Sequence, residues 1–445
     1  MLYLLGVLVV VFGVGLSIGL HEIGHLLPAK RFGVRVPQYM VGFGPTLWST
    51  KRGETEYGVK AIPLGGYVKM IGMFPPKKGE DPNTVRVSST GRFSQLMDEA
   101  RNQSMSEVKP GDENRVFWKL SVPKKVTIML GGPVMNLLIA VVVFTGLFTL
   151  HGLPETTPVI SSVSQCIDTS ATSQSTKTAC ASGMPIAPAN AAGLKPGDRV
   201  VSVAGQSLQT WDDARAIIRA NAGKPIDVVV ERAGQTLTLH ATPLAINLPV
   251  FDKDGEPTTD DDGNPVTERA GFLGAAGTPA YVKQPTTAVP GLIGEQIATT
   301  AGVVLAIPEK MVGIAQAAFG GGERDKNGPI SVVGVGRVAG EVASTTEIAS
   351  ASDKVVVLIS LLGSLNLALF VFNLIPLLPL DGGHVIGALW EGVKKRGYKL
   401  LGRPDPGPVD VTKALPLAYA VASLLIVMSA LLMYADIVNP VRLRG

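Results

Sequence analysis

Uncharged apolar runs alternate with polar stretches along this chain. Residues 1–20, 126–150, 355–380 and 414–435 contain no Asp, Glu, Lys or Arg. Hydrocarbon about 30 Å thick takes roughly 20 helical residues to cross, so each run predicts a membrane-spanning helix. A fifth apolar block, 296–308, is flanked by Glu295, Glu309 and Lys310. It is too short to span and reads as part of an amphipathic or buried helix. Residues 290–345 as a whole read as paired amphipathic helices, broken at Gly-rich 320–322 and resting on the outer leaflet. Residues 57–71 read instead as short strands interrupted by Pro63 and Gly65-Gly66. Residues 158–245 carry short apolar strands punctuated by Gly and Pro, one short helix over 211–221 and a hairpin around Ala233-Gly234. Residues 79–113 are polar without periodicity and read as a flexible loop.

Composition agrees with a membrane protein. The 445 residues are 46% hydrophobic and 17% charged, against about 25% charged in soluble domains. A disordered chain, a disulfide scaffold and a small secreted module are excluded, and an all-soluble enzyme fits poorly. A net charge of +4 gives no reason to expect nucleic acid.

The distribution of charge predicts an orientation. Residues 28–125 carry 17 Lys/Arg against 9 Asp/Glu, residues 151–354 carry 15 against 21, and residues 384–415 carry 6 against 3. Basic residues near membrane ends stay inside. The expectation is a polytopic α-helical membrane protein with four spans, N-out and C-out, in a bacterial plasma membrane. Its segments are a first span over 1–27, a cytoplasmic region over 28–125 and a second span over 126–150. An external region follows over 151–250, then an external linker with amphipathic helices over 251–354. The third span covers 355–383, a cytoplasmic loop 384–413, the fourth span 414–436 and a tail 437–445. The first run lacks a basic leader and a small-residue cleavage site, so it does not read as a cleavable signal. The two cysteines, Cys166 and Cys180, both fall in the external region, where a disulfide is expected in an oxidising compartment. The acidic stretch 252–265 does not match a calcium loop and reads as a solvated turn.

His21-Glu22-Ile23-Gly24-His25 ends the first span as an H-E-x-x-H pattern. On a helix the two imidazoles share a face and can reach one Zn²⁺, with the Glu placed to take a proton from a metal-activated water. A hydrolytic zinc site needs a third protein ligand. His151 and His240 lie in or beside the external region, on the wrong side. Asp381, after Pro376 and Pro379 and before Gly382-Gly383, ends the third run at the matching depth and is the expected ligand. The alternative is an interfacial Asp capping the next helix. His384 reads as lying just outside the site or supporting it.

HEIGH at 21–25, AIPLGGYVKMIG at 61–72, GGPVMN at 131–136 and NLIPLLPLDGGH at 373–384 together resemble the site-2 protease family of intramembrane zinc metalloproteases, in its single-PDZ bacterial form, similar to the actinobacterial branch. The resemblance implies His21, His25 and Asp381 as zinc ligands and Glu22 as catalytic base. It implies that residues 55–72 form a re-entrant β-loop at the site, with Gly65, Gly66 and Tyr67 meeting substrate, and that Asn373 holds the substrate backbone. Asn136 and Gly131-Gly132 read as close helix packing. GLKPGDRV at 193–200 resembles a PDZ domain, giving 151–250 an external PDZ-like α+β reading; GPISVVGVGR at 328–337 matches a family segment without an evident role. The implied substrates are single-span membrane proteins, such as anti-sigma factors already trimmed by a site-1-type protease, or remnant signal peptides. The lipid bilayer is the other partner. A PDZ-bearing adaptor and a metal-binding transporter are the rival readings.

Overall fold

The computed structural model describes residues 1–76, 92–168, 180, 183–251, 258–260, 264–320, 324–325, 328–345 and 350–440. They divide into two compact units, Met1–Leu147 with Pro285–Gly445, and Phe148–Gln284.

The chain begins in the first unit with helix α1 (Leu2–Arg31), strands β1 (Gln38–Arg52) and β2 (Thr55–Lys69), helix α2 (Arg92–Ser106) and helix α3 (Val122–Gly146). The second unit holds β3 (Leu153–Val163), α4 (Pro188–Ala191), β4 (Arg199–Val203), β5 (Gln206–Ser207) and α5 (Trp211–Ala220). It continues with β6 (Ile226–Arg232), β7 (Gln235–Ala241), β8 (Leu244–Pro249), β9 (Thr267–Phe272) and β10 (Ala275–Val282). The chain then returns to the first unit with α6 (Val289–Leu305), α7 (Ile307–Gly320), α8 (Val332–Ser344), α9 (Ala351–Asn373), α10 (Asp381–Leu400) and α11 (Leu415–Val438).

Among the described residues, Leu2–Arg31, Val122–His151, Ala351–Asn373 and Val411–Val438 are long and apolar enough to cross a membrane. The pair α6 and α7 passes the same test as a fifth span if counted together, with a 59° bend between them. The expectation of exactly four spans, with 296–308 too short, is thus widened to four or five. The apolar pattern continues beyond Glu309 and Lys310, and Pro308 at the start of α7 has no N–H to carry the helical ladder through the bend.

Helix α1 is the hub of the first unit. Small residues let its neighbours approach closely, as expected where helices pack without a hydrophobic drive. A Cβ on Gly24 would overlap the Gly131 backbone of α3, one on Gly6 the Ala339 backbone of α8, and one on Gly13 the Leu362 side chain of α9. Buried Asn366 on α9 donates to Ser17 on α1 at 2.9 Å. Leu26, Ala29, Val34, Val36, Met70, Phe117, Ile128 and Met129 form a packed cluster at the other end of α1.

Strands β1 and β2 are each folded. Tyr39 pairs with Tyr57 on one side and Val68 on the other, while Thr50 also faces Tyr57. Gly42 and Gly44, at φ 96° and 82°, supply the left-handed conformations where β1 turns. The sheet therefore starts at residue 38, earlier than the 55–72 expected. Its 62–69 leg pairs only with the first leg of β1 among the described residues.

Part of the 79–113 segment also departs from expectation. Residues 77–91 lie outside the described residues, but 92–106 form α2 rather than a loop. Arg101 on this helix is buried and bonds Asp98 at 2.9 Å, Asp410 at 2.7 Å and Thr412 at 2.7 Å. Most of that partner set is more than 300 residues away in sequence, so local periodicity carries no trace of it.

The second unit is built on a sheet of order β10–β3–β4–β6–β7, with β5 on β4 and a separate β8–β9 hairpin. Alternate residues Val228 and Val230 of β6 face a core with Ile160, Val200, Val203, Ala214 and Ile218. Thr210 and Asp213 close a capping box on α5. Cys166 and Cys180 are disulfide-bonded with Cα atoms 5.6 Å apart. Residues 252–257 and 261–263 of the acidic stretch, and 321–322 of the Gly-rich break, lie outside the described residues.

Candidate metal centre

His21, Glu22 and His25 lie within α1, six or more residues from its C-terminal end. His25 and Glu22 are buried, and His21 is half-buried. His25 Nδ1 lies 2.7 Å from the carbonyl oxygen of Ile128 on α3. Because a carbonyl only accepts, Nδ1 carries the proton and Nε2 the lone pair. That contact turns Nε2 toward His21, whose own Nε2 is 3.2 Å away.

Asp381 reaches the same point from α10. Helix α9 stops at Asn373, and the turn 374–380 contains Pro376 and Pro379. A Cβ on Gly382 would overlap the carbonyls of Leu374 and Ile375, and one on Gly383 would press on the backbone of Leu377 and Leu378. The glycine pair is what lets this turn fold back on the start of α10. Asp381 is therefore the first residue of α10 rather than the last of the third span. The N-cap position is Leu380, so Asp381 stands one residue inside the helix. Its Oδ2 lies 3.4 Å from His21 Nε2 and 3.5 Å from His25 Nε2. Among the described residues these three form the one group of His, Cys, Asp and Glu side chains spaced to hold a metal, with ligand atoms within 4.8 Å of one another.

The spacing fits zinc. A tetrahedral ion with bonds of about 2.0–2.2 Å keeps its ligands roughly 3.3–3.6 Å apart. The three separations are 3.2, 3.4 and 3.5 Å. Oδ2 of Asp381 faces the lone pair of His25 Nε2, two acceptors that repel unless a cation is shared. Gly132 of α3 completes the cradle, since a Cβ there would fall 2.6 Å from His21 Nε2 and would overlap His25 Nε2.

Glu22 projects toward the sheet. A Cβ on Gly66 would lie 2.8 Å from Glu22 Cγ, 3.0 Å from the Met40 carbonyl and 3.1 Å from Ile18. The 62–69 leg, paired along one edge only among the described residues, thus passes directly beside Glu22. Tyr39 of the adjoining leg donates to the Gly19 carbonyl at 2.7 Å and pins the sheet to α1. Gly65, at φ 119°, turns the backbone next to the Phe43 ring, and Tyr67 stacks on Phe43 with centroids 6.5 Å apart. Asn373 sits at the last position of α9. His384, one turn after Asp381, is half-buried beside a cavity of about 20 Å³ that Trp118, Lys125 and Glu391 also line.

Two contacts had no sequence signal or a misleading one. The Ile128 carbonyl is backbone, invisible to residue type. Asn136 is buried with Nδ2 3.1 Å from His21 Nδ1, whereas its sequence context suggests only helix packing. Gly131 does pack as expected, against Gly24.

A family model described as Peptidase family M50 matches residues 9–400. Zinc metalloprotease Rip1 of Mycobacterium tuberculosis is 31% identical over 446 residues, covering all of both chains. The Rip1 protein of Mycolicibacterium smegmatis is 31% identical over 99% of each chain. Metalloprotease MmpA of Caulobacter vibrioides is 26% identical over 88% of each.

Proposed function

The chain belongs to peptidase family M50 and is a zinc metalloprotease of the membrane, and from that premise we propose that it hydrolyses peptide bonds inside the bilayer with zinc held by His21, His25 and Asp381. The observation that carries this reading is the convergence, at tetrahedral spacing, of two imidazole nitrogens from the apolar helix α1 and one carboxylate oxygen from the start of α10. Ionisable side chains are expensive at membrane depth and are kept there for function.

The chemistry that zinc supplies in such a site is Lewis acidity toward a water and a carbonyl. Glu22 accepts the proton of the attacking water and passes it to the leaving amine nitrogen. Gly65, Gly66 and Tyr67 offer the 62–69 backbone to an extended substrate, which adds as a strand. Support for that role is the second edge of this leg, which has no strand partner among the described residues, and its closeness to Glu22. Asn373 steadies the substrate backbone from the end of α9. A helical amide is shielded by its own hydrogen bonds, so the substrate span unwinds before it is cut.

The substrates are single-span membrane proteins, among them anti-sigma factors first trimmed by a site-1-type protease, and remnant signal peptides. The Lys/Arg distribution supports an N-out, C-out chain in the bacterial plasma membrane, with the 38–69 sheet re-entering from the cytoplasmic side. The Phe148–Gln284 unit is a PDZ-like domain outside the cell; its GLKPGDRV segment and mixed helix–sheet make-up support this.

The test is cleavage of a single-span reporter by purified protein in detergent. Glu22→Gln should lower the rate by about 10²–10⁴-fold, the usual worth of a general base, while zinc content stays unchanged. Equal cleavage by wild type and Glu22→Gln sinks the reading. A transporter or adaptor would keep its function in this variant.

A further inference from the structure

Gly132 and Asn136 are four residues apart on α3 and so share a face. Gly132 lies against the Nε2 edges of both imidazoles, and Asn136 meets the opposite edge of His21. Asn136 has no exposed surface. Its Nδ2 is 3.1 Å from His21 Nδ1, and its Oδ1 is buried with no hydrogen-bond partner. A buried amide oxygen without a donor is costly, and native proteins rarely tolerate one.

The chemistry of His21 supplies that donor. An imidazole that binds a metal through Nε2 must keep its proton on Nδ1. An Nδ1–H needs an acceptor, and no amide nitrogen can serve. A half-turn about the Cβ–Cγ axis of Asn136 exchanges its two terminal atoms. It brings Oδ1 to Nδ1 and satisfies both groups. His25 has the equivalent arrangement already, with its Nδ1–H on the Ile128 carbonyl at 2.7 Å.

We propose that Asn136 is a positioning residue for the metal centre: its Oδ1 accepts the Nδ1 proton of His21, fixing the ring's tautomer and orientation so that Nε2 presents its lone pair to zinc. The two histidines then have matched supports from α3, one from backbone and one from an amide. The proposal rests on His21 being a zinc ligand.

The experiment is zinc competition against a chromophoric chelator with the full chain purified in detergent. Wild type, Asn136→Leu, Asn136→Asp and His21→Ala are compared. Asn136→Leu should weaken zinc binding by about 10–100-fold, the range seen when an outer partner of a ligating histidine is removed. Asn136→Asp, which still offers an acceptor, should restore affinity to within a few fold. Wild-type affinity in Asn136→Leu, or equal weakness in the Leu and Asp variants, overturns the proposal. Undiminished affinity in His21→Ala refutes the ligand assignment itself, a separable failure. If the Asn136 variants do not fold, ¹⁵N spectra of histidine-labelled, zinc-loaded wild type decide. A His21 Nδ1 proton that is hydrogen-bonded and slow to exchange supports the proposal, one that exchanges freely with water overturns it, and a proton on Nε2 refutes the ligand assignment.

Discussion

Asp198 in the sheet unit and Asp381 in the helical unit are both enclosed carboxylates, but their oxygens are used differently. Asp198 accepts from Arg232 Nε at 2.6 Å, from Arg232 Nη2 at 2.8 Å and from the Lys195 amide at 2.8 Å. Each of these partners is a true donor, so the carboxylate is satisfied by the fold. The Arg232 guanidinium holds its pKa below the ordinary value. Asp381 starts a helix, where an anion is favoured, in its first turn after the N-cap Leu380. It faces two imidazole nitrogens, one of which carries a lone pair. A carboxylate surrounded by donors holds a structure together. A carboxylate that shares a point with other acceptors is placed to share a cation with them, the role proposed for Asp381.

The largest expected effect comes from removing the metal side of this comparison. Asp381→Ala should lose zinc by more than the 10–100-fold that an outer-shell partner is worth, read as metal stoichiometry after gel filtration against a chelator. Next comes Gly66→Val. Its side chain would collide with Glu22 and the Met40 carbonyl, so reporter cleavage should fall by about tenfold or more, from misplacement near the reacting atoms. Zinc content should stay at the wild-type level, and a variant that cleaves normally would remove the sheet from the account.

How much of this could be read from sequence divides along physical lines. His21, Glu22 and His25 are readable because a helix turns a four-residue spacing into a shared face. Asp381 follows from needing a third ligand at the same depth, with prolines and glycines marking the break that delivers it. The same local patterns say nothing of Asn136, because an Asn in an apolar helix packs and hydrogen-bonds with equal ease. The α2 helix was hidden for a related reason. Arg101 is buried by partners on a distant segment, and only tertiary structure makes its surroundings favourable. The sheet was read from its glycine-broken second half. The first half, 38–52, carries exposed Phe43, Leu47 and Trp48 and lacks clear alternation.

A smaller effect is expected at the pair that ties α10 to α3. Lys125 donates to Glu391 at 2.7 Å, both side chains are buried, and Glu391 also accepts from Val409 N–H and Lys395. Lys125→Met leaves a buried carboxylate without its main partner, a loss of about 3–5 kcal/mol for fully buried pairs. Thermal unfolding in detergent should show a lowered midpoint, with any loss of activity following the loss of folded protein.

The smallest effect is at Asp198 and depends on pH. Its folded pKa is depressed from 3.8, so its pairing with Arg232 stabilises the fold above that value and is lost as pH falls through the lower, folded pKa. Arg232→Met should therefore lower the unfolding midpoint at neutral pH. The gap from wild type should narrow once pH drops below 3.8. A gap independent of pH would mean that Arg232 acts by packing alone.

The central claim is that two histidines from one helix and one aspartate from another hold the zinc of this protease. X-ray absorption at the zinc edge, on purified wild type and Asp381→Ala, addresses it directly. The account predicts a wild-type centre of two imidazoles with oxygen ligands and no sulfur, at the usual distances of about 2.0–2.2 Å, and loss of the bound metal in the variant. A centre containing sulfur, or one that survives unchanged in Asp381→Ala, would contradict it.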